Sequence, residues 1–177
     1  MNALAAKAQN DDKNAFSLLP LDGKTLNEAE RSIYGKPIEY AYAFNQKGIQ
    51  IYRAIGTHRQ AGFKLNDRSV LKNLVITHNH PPNENWINKD NFSISDIVTT
   101  IKDNYAEMRL VTSNNKQIIS FKRKGDFWVN SLDDFLDMVD DIYENDFKGQ
   151  FGSDEDEIAI YLLIKLGHQY TVFDYEE

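Results

Sequence analysis

Two of the chain's four histidines stand one residue apart, in the stretch LVITHNHPPNENWINKDNFSISD that runs from residue 74 to 96. Leu74, Val75, Ile76 and Thr77 lead into them, so His78 and His80 close a short buried strand. Side chains two apart on a strand project to the same side, which lets both imidazoles approach one point. Pro81 and Pro82 then end strand pairing and leave the rings at an open sheet edge. Two imidazoles alone make a weak site. Asp96, in the first turn of a helix expected from Ser93, is placed to supply a third ligand. Two histidines and one carboxylate with a fourth position open is a catalytic zinc arrangement, and water in that position has its pKa lowered to roughly 7.

Such a site needs a proton acceptor as well. Glu39 is a lone charge within PIEYAYAF, among aromatics and alanines. Burying a carboxylate there is costly unless something compensates it, and a metal-bound water would do so. Ser93, three residues before Asp96, can donate a hydrogen bond to a developing oxyanion. Each piece also has a plainer explanation. Ser93-x-x-Asp96 before an apolar run is close to a helix capping box, which needs no metal. His-x-His arises by chance in exposed loops, and a single Glu39 fits the solvent face of an edge strand.

The elements that must position these residues follow from periodicity. Residues 1–35 read as a polar, partly helical lead-in, with Thr25 and Glu28 spaced for a capping box. Ile38–Phe44 alternates as a strand, NQKG supplies a turn, and IQIYRAI from Ile49 returns as the second strand of a hairpin. LNDRSVLKN is a short helix or turn that feeds the histidine strand. Ile94, Ile97, Val98 and Ile101 fall at helical spacing, and MRLVTS with KQIISFKR forms a second hairpin. Leu132, Phe135, Leu136, Val139, Ile142 and Tyr143 make the apolar stripe of an amphipathic helix. A last helix starts near Ser153 or Asp154 and ends at Gly167, and HQYTVF follows as a strand or extended tail. The fold class is α/β or α+β, a mixed sheet flanked by helices.

Taken together and in order, Glu39, then His78-Asn79-His80-Pro81, then Ser93-Ile94-Ser95-Asp96 resembles the signature of the JAB/MPN (JAMM) metalloproteases. The asparagine between the histidines looks most like the RadC-type branch of bacterial and mobile-element proteins. The resemblance covers residues 38–124, about half the chain. It implies a cytidine-deaminase-like mixed sheet at 36–126, between the lead-in and a helical extension at 127–177. It implies further a Zn2+ held by His78, His80 and Asp96, Glu39 as general base and Ser93 as oxyanion stabiliser. Ser95 is the neighbouring hydroxyl, and only the Ser-x-x-Asp spacing favours Ser93. The activity implied is hydrolysis of a peptide or isopeptide bond, often beside a ubiquitin-like tail. The spacer from His80 to Ser93 is longer than in the family, which makes NENWINKDN, with Trp86, a candidate substrate-facing loop.

Composition narrows the alternatives. The chain lacks cysteine, which excludes disulfides, thiolate zinc sites and cysteine catalysis, and leaves imidazole and carboxylate as the metal donors. A net charge of -7 over 177 residues argues against a nucleic-acid or acidic-membrane binder. The basic run Lys122-Arg123-Lys124 reads as a solvated strand end. His58 reads as a loop residue, and His168 as a residue at a helix end, where a cationic imidazole would suit the dipole. The start of the chain has no apolar segment of signal-peptide kind and no stretch suits a bilayer span, so a soluble cytoplasmic protein is expected. The expected function is a zinc-dependent amide hydrolase. The alternative is a catalytically silent binding or scaffold protein of a phage or mobile element, and DNA processing is a weaker third.

Overall fold

The computed structural model describes residues 17–57, 62–63, 65–82, 90–113, 115–147 and 155–175. The expectations for His58, for Trp86 and most of its loop, and for a helix start at Ser153 or Asp154 fall outside them. A two-residue strand β1 (Ser17–Leu18) precedes helix α1 (Leu26–Ile33), whose N-terminus carries the expected box: the Glu28 carboxylate accepts from the Thr25 amide at 2.9 Å. Strands β2 (Tyr40–Phe44) and β3 (Gln50–Ile55) form the hairpin. Its turn is closed by Asn45, whose Oδ1 accepts from the Lys47 and Ile49 amides, while Gly48 takes φ 77°, a conformation that glycine alone adopts freely.

The histidine strand β4 (Val75–Asn79) follows, then helix α2 (Ile94–Asp103) and strand β5 (Glu107–Val111). β4 and β5 are parallel, so α2 is the crossover that parallel strands require. Strand β6 (Gln117–Lys122) returns antiparallel to β5, and helices α3 (Leu132–Ile142) and α4 (Glu155–Lys165) lead to strand β7 (Gln169–Asp174). The seven strands of the described residues join one mixed sheet in the order β1-β3-β2-β4-β5-β6-β7. The lead-in and the C-terminal extension therefore each add a strand to the central sheet. β7 pairs along the whole of β6, from Gln117 opposite Asp174 to Lys122 opposite Gln169.

Alternation sorts the side chains into two cores. Ala41, Ala43, Ile76, Met108, Leu110, Ile119 and Phe121 face α2, α3 and α4, whose Ile97, Val98, Phe135, Leu136, Val139, Ile158 and Leu163 are buried against them. The expected stripe on α3 is in this core, though the helix ends at Ile142 and Tyr143 opens a π-helical turn. Tyr42, Phe44 and Val111 face the other way, toward Ala29 and Ile33 of α1. Full burial of each such aliphatic side chain contributes about 1.5–3 kcal/mol.

A charged cluster seals the α1 side. The Arg109 guanidinium forks onto Glu30, which is 1% exposed, with N···O distances of 2.6 and 3.2 Å, and its third nitrogen reaches Glu107 at 3.0 Å. Thr77 donates to Glu30 and Ser120 to Glu107, so both carboxylates carry neutral donors in addition to the guanidinium. Arg123 is engaged as well, rather than merely solvated. Its guanidinium bonds the Asn104 carbonyl and side chain and the Asn73 side chain, at two asparagines with positive φ.

His168 departs from the cationic expectation. α4 ends in a Schellman arrangement: Gly167 at φ 89° donates to the Ile164 carbonyl, and the His168 amide donates to that of Leu163. The His168 ring is then buried, with Nδ1 accepting from the Lys124 amide at 3.0 Å and Nε2 facing the Trp128 carbonyl. A backbone amide can only donate and a carbonyl can only accept, so the ring is the neutral Nε2–H tautomer. Burial lowers its pKa below the ordinary histidine value, and the nearby charges of Arg123 and Lys124 add to this, against the raising effect of the Trp128 carbonyl.

Two outcomes are expected. Glu30→Ala removes the fork and leaves the buried Arg109 with Glu107 as its remaining carboxylate. It should cost about 3 kcal/mol, the low end for a broken buried pair, read as a lowered urea midpoint at unchanged m. At His168 the unfolded chain takes up a proton near pH 6.5 while the folded ring resists it. Its contribution is therefore complete above about pH 6.5 and is lost as pH falls below that value. The thermal midpoint of His168→Gln should depend less steeply on pH between about 6.5 and 5 than that of the parent chain.

Candidate metal centre

β4 presents its residues alternately, Ile76, His78 and His80 toward α2 and Val75, Thr77 and Asn79 toward α1. His78 is 3% exposed, opposite Ala41 of β2 and Leu110 of β5. His80 lies just past the strand end, yet both its backbone groups are held from the β5 side. Its amide donates to the Val111 carbonyl at 3.4 Å, and its carbonyl accepts from the Ser113 hydroxyl at 2.6 Å. Phe92, 1% exposed, packs beside the His78 ring with centroids 6.3 Å apart.

Helix α2 brings the third group. Ser93 is its N-cap, and the cap is reciprocal: the Asp96 amide donates to Ser93 Oγ at 3.2 Å, while Asp96 Oδ2 accepts from the Ser93 amide at 2.9 Å and hydroxyl at 2.8 Å. Asp156 of α4 accepts from the Ile94 amide, a second anchor on the same helix end. The plainer account of Ser93-x-x-Asp96 is thus correct, and the cap still leaves the Asp96 carboxylate facing the two imidazoles. Asp96 Oδ1 points to His78 Nε2 and Oδ2 to His80 Nε2, each at 3.5 Å, and the two Nε2 atoms are 3.3 Å apart.

His78, His80 and Asp96 together could hold a metal ion. Tetrahedral bonds of about 2.0–2.1 Å, as to Zn2+, put neighbouring ligand atoms about 3.3–3.4 Å apart, close to all three separations found here. A simple hydrogen-bonded pair would favour one contact near 2.9 Å rather than three similar longer ones. Burial pushes the Asp96 carboxyl up, but the charge and hydrogen bonds of His78, then of His80, outweigh it and hold it well below the usual carboxylate range. Asp96 is therefore an ionised oxygen donor across ordinary pH.

Glu39 is not on the solvent face of an edge strand. β2 is interior to the sheet, and Glu39 is 4% exposed. The assigned strand starts at Tyr40, but Glu39 keeps the ladder to the β3 side: its amide donates to the Thr57 carbonyl and its carbonyl accepts from the Gly56 amide, both at 2.8 Å. Continuing the pairing of Ala41 with His78 sets Glu39 opposite His80, on the face of the two imidazoles. Ser93 has spent its single hydroxyl proton on Asp96, so serving an oxyanion requires the hydroxyl to rotate. Ser95 lies half-buried in the first turn of α2.

In the sequence Asn79 counted only as a mark of resemblance, and its structural part was missed. Asparagine is depleted from strands, and one at the end of a buried strand between two histidines is a signal that its amide has work there. It is 0% exposed and bonds the backbone on both sides of Glu39.

In comparisons with known proteins, no family model, no curated protein and no solved structure matches the chain. What the centre can do is argued from its own residues and geometry.

The expected outcome is about one divalent ion per chain by elemental analysis, lost in His78→Ala and in Asp96→Asn, of which the second keeps an acceptor for the Ser93 cap. Ion at a hundredfold over its dissociation constant should stabilise the parent chain by about 2.7 kcal/mol and leave both variants unmoved.

Proposed function

We propose that the chain is a zinc-dependent hydrolase of peptide or isopeptide bonds, of the JAB/MPN type with a RadC-like motif, built on a cytidine-deaminase-like sheet. The observation that carries this reading is the convergence of His78 Nε2, His80 Nε2 and Asp96 within 3.3–3.5 Å of one another at the end of a central strand. Two imidazoles and a carboxylate, with no thiolate in the chain, suit Zn2+. The bound ion would polarise the scissile carbonyl and make a coordinated water acidic near neutral pH.

The protein's own groups would do the rest. Asp96 stays ionised through its contact with the two imidazoles and its capping bonds, and so presents an oxygen donor without a proton to lose. Glu39, buried on the same face, takes the proton of the attacking water and returns it to the leaving amine. Ser93, once its hydroxyl turns away from Asp96, donates to the oxygen on which charge develops. A peptide or a ubiquitin-like conjugate is the substrate class, and nucleic acid is not, given the net charge of -7. Among the described residues no helix is long and apolar enough to cross a membrane, in keeping with a cytoplasmic setting as part of this proposal.

One observation favours a second reading. His78 Nδ1 is buried without a hydrogen-bond partner among the described residues, whereas ligating imidazoles usually pass their other N–H to an acceptor. A RadC-like binding or scaffold protein of a phage or mobile element, with the fold retained and catalysis lost, would tolerate that gap. Glu39→Gln separates the two. It should retain the ion and lower turnover of a peptide or ubiquitin-like isopeptide conjugate by about 10²–10⁴-fold. Full activity in Glu39→Gln refutes the mechanism, and a metal-loaded parent chain inert on every such conjugate supports the silent protein.

A further inference from the structure

We infer that Asn79, the residue between the two histidines, is a positioning residue for Glu39 and sets where that carboxylate stands relative to the His78–His80–Asp96 centre. The inference rests on Glu39 acting beside a bound ion, as proposed above. Asn79 ends β4 and turns its side chain to the α1 face, away from both imidazoles. There its Oδ1 accepts from the Tyr40 amide at 2.8 Å and its Nδ2 donates to the Ile38 carbonyl at 3.2 Å. The Glu39 amide and carbonyl are taken by Thr57 and Gly56 on the opposite side, both at 2.8 Å. Four hydrogen bonds thus grip the two peptide groups that flank the Glu39 Cα, and the Asn79 amide makes half of them.

Ordinary strand pairing does not supply the same grip. The β2–β4 ladder runs from Phe44 opposite Val75 to Ala41 opposite His78 and then stops. The Asn79 side chain takes the place of the next rung. It leaves the main chain free to turn His80 toward the centre while the acid stays tied to the same strand. An amide is suited to this because it offers one donor and one acceptor side by side, as a peptide does. No other uncharged side chain of this length carries both in that geometry.

The test reads the electrostatics of the centre rather than turnover. The parent chain, Glu39→Gln and Asn79→Thr are loaded with Co2+, and azide is titrated at a fixed neutral pH by the visible spectrum, alongside the urea midpoint of each. If Glu39 stands beside the open position as proposed, removing its negative charge should tighten azide binding by a factor on the order of ten or more in Glu39→Gln. Asn79→Thr suits a strand but is too short to span both backbone groups. It should bind Co2+ as the parent does and move azide affinity part of the way toward Glu39→Gln. Should Asn79→Thr not fold, Asn79→Ser serves in its place, and the same shift is expected. If Glu39→Gln shifts azide affinity and the Asn79 variant matches the parent, whatever its urea midpoint, the inference is overturned while the hydrolase reading stands. If the parent binds no Co2+, or Glu39→Gln leaves azide affinity unchanged, the hydrolase reading falls and takes this one with it.

Discussion

β4 is hydrogen-bonded on both flanks, antiparallel to β2 and parallel to β5, and a slip of one residue in either pairing would carry His78 and His80 to the face under α1. Several independent groups oppose such a slip. Ile76 belongs with the aliphatic core beneath α2, and Thr77 belongs with Glu30 on the other side. Moving either one would bury a hydroxyl among aliphatic side chains or strip a buried carboxylate of a donor, each an expensive exchange. The orientation of the two imidazoles is thus a by-product of how the rest of the strand is satisfied.

Asp96 shows how one group can belong to two systems. As the third residue of α2 its carboxylate closes the capping box with Ser93, and as the neighbour of His78 and His80 it completes a donor set. The two uses overlap only on Oδ2, which takes both cap bonds and faces His80, while Oδ1 faces His78 outside the cap. The cap also fixes the carboxylate's rotation, which a lone aspartate on a loop would have to hold at a cost in entropy. Asp156 extends this dependence to α4, since its bond to the Ile94 amide steadies the same helix end.

Much of this was legible in the chain itself. The strand–loop–helix order around His78, His80 and Asp96 follows from period-2 and period-3.6 patterns that the structure repeats, and the Asn45–Gly48 turn has the residues its geometry demands. The burial of Glu39 was harder to see, because whether a strand lies at an edge or inside a sheet depends on partners far along the chain; here these are β3 and β4. His168 was misread for a related reason. Local helix-end logic favours a cation, but the Lys124 amide, 44 residues away, demands a lone pair at Nδ1. Arg109 with Glu30 joins residues 79 apart, and no local pattern signals that pair. The fork of Asn79 around Glu39 likewise exists only once β2 and β4 lie side by side.

The place of β7 has a consequence for how the chain is made. β6 gains its outer neighbour only from residues 169–174, after α3 and α4 have been threaded between them. During synthesis at about 5–20 residues per second, the amide and carbonyl row of β6 therefore stays open for several seconds, with Ile119 and Phe121 beside it. A nascent chain in that state offers a strand template to its neighbours on the same message. The late-arriving strand therefore covers the β6 row and moves the sheet edge to its own outer side, and lesions that delay its docking should harm yield before they harm the finished molecule.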